Sequence, residues 1–536
     1  MPDAAAGAVA NAAPGGARMP DPAPGGVAAA AQGSSETRRD VGLLTPVTVG
    51  HDDAVSDTAV LDALVTAEVA LVRAWAETGA APAEAAVAVT EACRAHGIDP
   101  AELAAAAVAG GNPVIPLVPR LRALVDTRAR AWVHRGATSQ DILDSALMLV
   151  AREAGARIAA SLSEAESHLA ALARAQRDTV AAARTLGQHA VPTTVGLRAA
   201  TWVAGIRRAR HRLAGAVAGL PAQLGGAAGT LAAFVHTAEH ELGAAVAGQV
   251  ATRLPGLFAA ELGLAAPEAP WHTTRWPVTE LGDALVQATD VLGVLAADVA
   301  TLSRTEIGEL AEGFAGGSSA MPQKQNPAAS VLVRSAAIRA PHLGATLHTA
   351  AALAVDERPD GAWHAEWPAL RELLRLALGA SATAARIAAG LRIDTNAVAR
   401  NLAATGGLIV AERLAAVLAP RIGGDRLAAI LGEAADGGSL ADLLRAEPGL
   451  DDLDQADLLD PASYTGLAGV LVDRIVPDTG PPAPPADALV PDTGRPAPDA
   501  GALSPDAAPP SPDAGALSSD APPSPDAAPP APEQTA

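Results

Sequence analysis

Apolar residues recur at steps of three and four along most of this chain, the spacing of one face of an α-helix. The longest such stripe begins at Pro277 and runs through Leu281, Leu285, Ala288, Leu292, Leu295, Val299 and Leu302. It predicts a core helix of a bundle. Val60, Leu64, Val65, Ala67, Val69, Leu71 and Val72 predict another from Ser56, with Ser56 or Asp57 as its cap. Further helices are expected over 82–96, 100–109, 117–126, 139–179, 195–220, 328–355, 368–391, 394–400 and 408–418, with shorter ones up to about Ile475. Gly97, Gly110-Gly111 and Asp99-Pro100 punctuate the first of them. There is no run of β-branched residues, so the ordered part reads as all-α. Residues 1–39 are rich in Ala, Gly and Pro without periodicity, and from Val476 a Pro/Ala/Asp-rich tail repeats Pro-Asp-Ala-Gly-Ala-Leu-Ser. Both compositions predict disorder. The expected organisation is a leader (1–39), an N-terminal helical domain (40–112), a central helical bundle (113–355), a C-terminal helical domain (356–475) and a tail (476–536).

Composition refines this picture without redirecting it. The 536 residues are 49% hydrophobic but only 2% aromatic, so the core must be aliphatic. A formal net charge of −21 argues against a general nucleic-acid binder. Cys93 is the only cysteine, which excludes an intramolecular disulfide and a thiolate metal cluster. No uninterrupted apolar run is long enough to span a membrane, and the N-terminus lacks the basic start and leucine-rich segment of a secretion signal. A cytoplasmic protein with no metal and no cofactor is expected.

The chemistry gathers in polar turns between the helices. Residues 316–327, Gly-Gly-Ser-Ser-Ala-Met-Pro-Gln-Lys-Gln-Asn-Pro, combine glycines, hydroxyls, amides and Lys324, the only lysine in the chain. Glycines allow backbone N–H groups to approach an anion, and Lys324 supplies a point charge. His134 to Asp141 open a long helix, with Thr138 and Ser139 where an N-cap belongs. A helix start can seat a carboxylate, although capping alone would explain the same residues. Residues 184–194, Arg-Thr-Leu-Gly-Gln-His-Ala-Val-Pro-Thr-Thr, form a second polar connection. Gly225-Gly226 lacks the strand context of a dinucleotide fingerprint. Hydroxyls, amides, one ammonium and helix starts suit a small polycarboxylate. Proton transfer at a carbon next to a carboxylate needs such preorganised donors.

Residues 317–327, together with 134–141 and 184–194, resemble in order and spacing the active-site regions of the fumarase/aspartase superfamily. The resemblance covers about residues 40–475. It implies a three-domain all-α fold with a central bundle of long helices, and a homotetramer whose active sites are shared between subunits. It also implies that Ser318 is the catalytic serine of a mobile loop. Thr138, Ser139, Gln188, Ser319, Met321, Lys324 and Asn326 would bind the substrate, and His134 is a possible contact.

Many lyases of the superfamily carry a His/Glu acid–base pair at positions that here are Leu186 and Val331. Expelling an amine or hydroxide needs that acid. A lactonisation does not, because the nucleophile is the substrate's own carboxylate and orientation supplies much of the acceleration. With 361–367, 406–409 and 458–464, this pattern resembles the 3-carboxy-cis,cis-muconate cycloisomerase branch. The expectation is therefore an intramolecular lyase lactonising that small tricarboxylate in protocatechuate catabolism. The alternatives are an adenylosuccinate- or nitrosuccinate-type lyase and a noncatalytic scaffold. His364 and Glu366 are expected in a loop from Asp356 to Trp367, His189 in a structural role, and Arg275, Arg304 and Arg339 on solvated helix faces. Glu306 and Glu309 are expected in ion pairs at the bundle end.

Overall fold

The computed structural model describes residues 41–94, 96–313, 316, 321 and 323–477. The chain divides into two units, 1–478 and 479–536, and every described residue lies in the first. The expectations for residues 1–39 and for nearly all of the tail fall outside the described residues.

The described chain is all-α apart from two small two-stranded sheets. The N-terminal helices are α1 (Asp57–Glu77), α2 (Ala83–Arg94), α3 (Pro100–Ala107), α4 (Val114–Ala123) and α5 (Thr127–Arg130). Ser56 Oγ caps α1, accepting from Ala59 N at 3.2 Å, and Asp99 caps α3. Next comes α6 (Ser139–Ala175), the longest helix. Strands β1 (Val180–Thr185) and β2 (Gln188–Thr194) form an antiparallel hairpin in place of the expected polar connection. Its turn is Leu186-Gly187, both with positive φ (+51° and +82°), as a two-residue hairpin turn requires.

The bundle continues through α7 (Val195–Ala218), α8 (Ala232–Leu242), α9 (Ala244–Leu262) and α10 (Trp276–Leu302). Strand β3 (Leu310–Ala311) leads to α11 (Ala328–Ala352) and α12 (Gly361–Gly390). The predicted stripe on α10 is buried as expected, from Leu281 to Leu302. By length and composition α10 could cross a membrane, but this stripe packs against α7, α11 and α12. The expected loop 356–367 is only partly a loop, because α12 begins at Gly361 and runs through Pro368. Pro368 is the eighth residue of α12, so it removes one hydrogen bond that an N–H there would donate to the His364 carbonyl.

Strand β4 (Arg392–Ile393) pairs with β3. The helices α13 (Thr395–Ala403), α14 (Ala411–Ile422), α15 (Gly424–Ala435), α16 (Leu440–Ala446) and α17 (Gln455–Leu459) follow. Many of their apolar residues form a separate core around Leu414, Leu418, Leu427 and Ile430. The last helix, α18 (Ala468–Ile475), returns to pack on α7.

Candidate active site

The Thr138 turn is built on buried carboxylates. Asp141, the third residue of α6, accepts from Thr138 N at 3.0 Å, the return half of a capping box. It also accepts from Gly225 N (2.8 Å), Gly226 N (2.9 Å) and His272 Nε2 (2.9 Å). The Gly225-Gly226 turn therefore does bind an anion, but the anion is the protein's own. A Cβ on Gly225 would sit 2.7 Å from Pro270 Cβ, so only glycine fits there. Thr138 and Ser139 remain half-buried above this platform.

One turn deeper, Asp144 accepts from Arg275 Nη1 (2.7 Å), Arg275 Nη2 (3.0 Å) and Trp363 Nε1 (2.9 Å). Arg275 also donates to Glu366, with its shortest contact at 2.7 Å, and lies over the Trp271 ring. The expectation of a solvated Arg275 is thus corrected: its side chain is 1% exposed, because two buried carboxylates require it. Burial pushes the Glu366 carboxyl up, an effect the Arg275 guanidinium only partly offsets. His364 is exposed and packs at a tilt against Trp367, with ring centroids 4.5 Å apart.

His134 enters this turn with a left-handed backbone, φ +60°. Its Nδ1 pairs with Glu68 Oε1 at 2.7 Å, and Glu68 is fully buried. Burial alone would lower the His134 pKa, but the Glu68 charge and hydrogen bond outweigh it and raise it.

The other polar segments lie at the far end of the bundle. Arg184 in β1 is bidentate to Glu309 (2.6 and 3.2 Å), and Asn401 Nδ2 donates to the same carboxylate at 2.9 Å. Burial opposes the ionised form of Glu309, yet these donors hold its pKa below the usual range. The expected ion pair is therefore present for Glu309. Gly316 and Asn326 pair through their backbones (2.9 and 3.0 Å), closing the neck of the 316–327 loop. Glu312 accepts from Ala329 N and Ser330 N (3.2 and 2.7 Å), fixing the start of α11 just beyond the loop. Met321 and Lys324 are exposed, Asn326 is half-buried, and Gln188 is exposed beside the hairpin tip. Ser318 and Ser319 lie outside the described residues. Leu186 (103% exposed) and Val331 (54%) are solvent-facing on the isolated chain.

Within one chain these groups do not converge. The 37 residues of α6 separate Thr138 and Ser139 from the hairpin. At 1.5 Å per residue that is about 55 Å. Gln188, Lys324 and Asn326 share one end of the bundle, while His134, Thr138 and Ser139 share the other. The sequence reading places Asp141 in the turn without its anchoring role, and it missed Glu68, Asp144, His272 and Glu312. Glu68 alone left a visible signal, as a carboxylate on the apolar face of α1.

The bundle of long helices carries polar turns at both ends, including the Gly/Ser/Lys segment 316–327. The sequence matches the lyase family over residues 51–341. Nitrosuccinate lyase of Streptomyces davaonensis is 47% identical over 462 residues, covering 83% of this chain and 96% of that protein. The 3-carboxy-cis,cis-muconate cycloisomerase of Bradyrhizobium diazoefficiens is 40% identical, covering 79% and 94%. The crystal structure of 3-carboxy-cis,cis-muconate lactonizing enzyme from Pseudomonas putida superposes with a TM-score of 0.71 at 37% identity, covering 78% and 94%. The chain belongs to the lyase family of the fumarase/aspartase superfamily and is an enzyme of the lyase or isomerase type.

Proposed function

We propose that this enzyme eliminates nitrite from nitrosuccinate and releases fumarate. The observation that carries this reading is the 47% identity to a nitrosuccinate lyase, and the apolar pair Leu186 and Val331, where a proton donor for a basic leaving group would stand, permits it as it permits lactonisation. Nitrite is the conjugate base of an acid about as strong as a carboxylic acid, so it departs without being protonated. An amine does not. The absent pair therefore argues against an adenylosuccinate-type elimination but is compatible with loss of nitrite. Similarity to a nitrosuccinate lyase over 96% of that protein supports the same choice.

In this mechanism Ser318, as its alkoxide, takes the proton from the carbon beside the distal carboxylate and becomes the hydroxyl. The C–H electron pair moves into that carboxylate, giving an aci-carboxylate held by Lys324 and Asn326. It returns to form the fumarate double bond as the C–N bond breaks, and nitrite leaves with the bonding pair. Thr138, Ser139 and Gln188 bind the remaining anionic groups, with Ser319 and Met321 completing the loop's contacts. Because α6 separates the two groups of residues, we assign each site to more than one subunit of a homotetramer, working in the cytoplasm on a small polycarboxylate.

Lactonisation of 3-carboxy-cis,cis-muconate is the second reading. It also needs no separate acid, since Ser318 would protonate the carbon while the substrate's carboxylate closes the ring. The cycloisomerase at 40% identity favours it. One pair of assays decides: nitrite by diazo coupling with fumarate by absorbance, and loss of the conjugated-diene absorbance of 3-carboxymuconate. The expected result is equimolar nitrite and fumarate, abolished by Ser318→Ala. Loss of diene absorbance without any nitrite release would reverse the order of the two readings.

A further inference from the structure

We propose that Glu68 is a positioning residue that holds the His134 ring so that its Nε2 edge binds a substrate anion at the Thr138–Ser139 helix start. This rests on the placement of substrate at that turn under the proposed function.

The geometry comes from two helices and a strained turn. Glu68 sits on the buried face of α1, with its side chain fully buried. Its Oε1 takes the hydrogen bond from His134 Nδ1 at 2.7 Å, while Oε2 is buried without a partner among the described residues. A buried carboxylate with half its hydrogen-bonding capacity unmet is costly, and such a group calls for an explanation. His134 is held in a left-handed conformation that a non-glycine residue adopts at a cost. The surrounding turn enforces it. Trp75 Nε1 donates to Arg135 O (3.0 Å), Arg122 Nη2 donates to Val133 O (3.0 Å), and the Phe234 ring lies against Gly136.

With Nδ1 engaged by Glu68, the ring presents Nε2 as its only free edge. That nitrogen has no partner among the described residues, and the side chain is 17% exposed. The ring stands four residues before Thr138, and Ser139 begins α6. A carboxylate that orients one histidine nitrogen fixes which edge the other presents. The charge of Asp141, the third residue of α6, acts on the ring, which puts a charged donor near the helix start, and such a group with two hydroxyls suits a carboxylate or nitro group.

The groups facing the pair are few. Asp141 at the start of α6 adds negative charge, but four donors already saturate it. Arg122 on α4 opposes the His134 charge. Cys93 on α2 faces Glu68, and burial together with the Glu68 charge pushes its thiol up to about 11, so it stays neutral. The charge on His134 is fully present below the ordinary histidine range and is lost as pH rises through its raised value. Anion binding at the turn should weaken over that same interval.

The test uses the full-length enzyme. Succinate is titrated calorimetrically at pH 6 and pH 8.5. The pH profile of kcat/KM is taken on whichever of nitrosuccinate and 3-carboxymuconate the wild type turns over. Glu68→Gln should move the basic limb of the profile down by about one unit or more, because burial then acts on His134 against the Asp141 charge alone. Glu68→Asp should restore part of that shift. His134→Gln should weaken succinate binding at pH 6 by about 10-fold and remove its pH dependence. A folded Glu68→Gln with the wild-type profile, or a His134→Gln that binds succinate as the wild type does at pH 6, overturns the proposal. If Glu68→Gln does not fold, the partly exposed His134 still decides through its own variant. A wild type that turns over neither substrate refutes the proposed function alone, because the succinate titration still reports on the turn.

Discussion

Replacing Arg275 by methionine isolates what a buried charge network contributes to this fold. The guanidinium is 1% exposed and donates to both oxygens of Asp144 and of Glu366. Methionine keeps much of the volume, so the loss is mainly electrostatic. The two carboxylates are then left unequally. Asp144 keeps Trp363 Nε1 at 2.9 Å and Gln140 Nε2 at 3.2 Å. Glu366, 2% exposed, keeps no other hydrogen bond among the described residues. Removing one partner of such a pair costs roughly 3–5 kcal/mol, and most of it should fall on Glu366. Two consequences follow. First, Arg275→Met/Glu366→Gln should be more stable than Arg275→Met by at least about 1 kcal/mol, since the uncompensated charge is gone. Second, the single variant should recover stability on acidification. Burial already raises the Glu366 pKa in the wild type, and loss of Arg275 raises it further. A carboxyl raised in the folded state binds protons preferentially there, so stability is gained as pH falls through that value. Each unit below it returns about 1.4 kcal/mol. Urea unfolding of the three proteins at pH 6 and pH 8, at one protein concentration, measures all of this. A loss below about 1 kcal/mol in the single variant, or a double variant no more stable than the single, would refute the reasoning.

Lys324→Met should leave the urea midpoint within about 0.5 kcal/mol of wild type, because the side chain is exposed. It should lower kcat/KM by about 100-fold or more, the scale of losing one donor to a developing oxyanion, and an unchanged kcat/KM would remove Lys324 from the site. Gly196→Ala should cost about 1–3 kcal/mol, since a Cβ would lie 2.6 Å from Arg177 Cα and 2.7 Å from the carbonyl oxygens of Ala173 and Gln176. A urea midpoint equal to wild type would mean that the contact between the end of α6 and the start of α7 can yield. Leu186→Asn should raise the thermal midpoint, because asparagine tolerates the φ of +51° that costs leucine about 1–2 kcal/mol. A fall instead would show that the leucine tip is packed against another subunit in solution.

The elements that were legible in the sequence are those whose signal is local. The α10 stripe occupies one face of one helix, and Thr138 with Asp141 forms a capping pattern within four residues. The hairpin was missed for an equally local reason. Its strands are alanine-rich, and its turn is Leu186-Gly187 instead of a pair such as Asn-Gly. Arg275 was misjudged because its partners, Asp144 and Glu366, are 131 and 91 residues away. Nothing next to it distinguishes it from the other arginines of an arginine-rich chain. Glu366 was hidden by Pro368, which suggested a helix start where α12 in fact continues. Glu68 could have been found: it interrupts the buried run Leu64, Val65, Ala67, Ala70, Leu71, Val72 on α1. A carboxylate on such a face needs a buried partner, and His134 is that partner.

The length of α6 bears on the chemistry as well as on the assembly. If Ser318 and Lys324 act on one end of a substrate while Thr138 and Ser139 bind the other, roughly 55 Å of helix forbids both from the same subunit. The anion seat at the Thr138 turn is then rigid, because four donors to Asp141 and the Arg275 network hold it within one chain. The Lys324 segment is tied instead at its neck, by the Gly316–Asn326 pair and the Glu312 cap on α11. Such a division lets one subunit fix the substrate while another supplies the reacting groups. It places the solvent-facing Leu186 and Val331 on the same bundle end as Lys324. Two apolar side chains there can lend a leaving group no proton, which suits a group that departs as a stable anion and equally a reaction that has no leaving group.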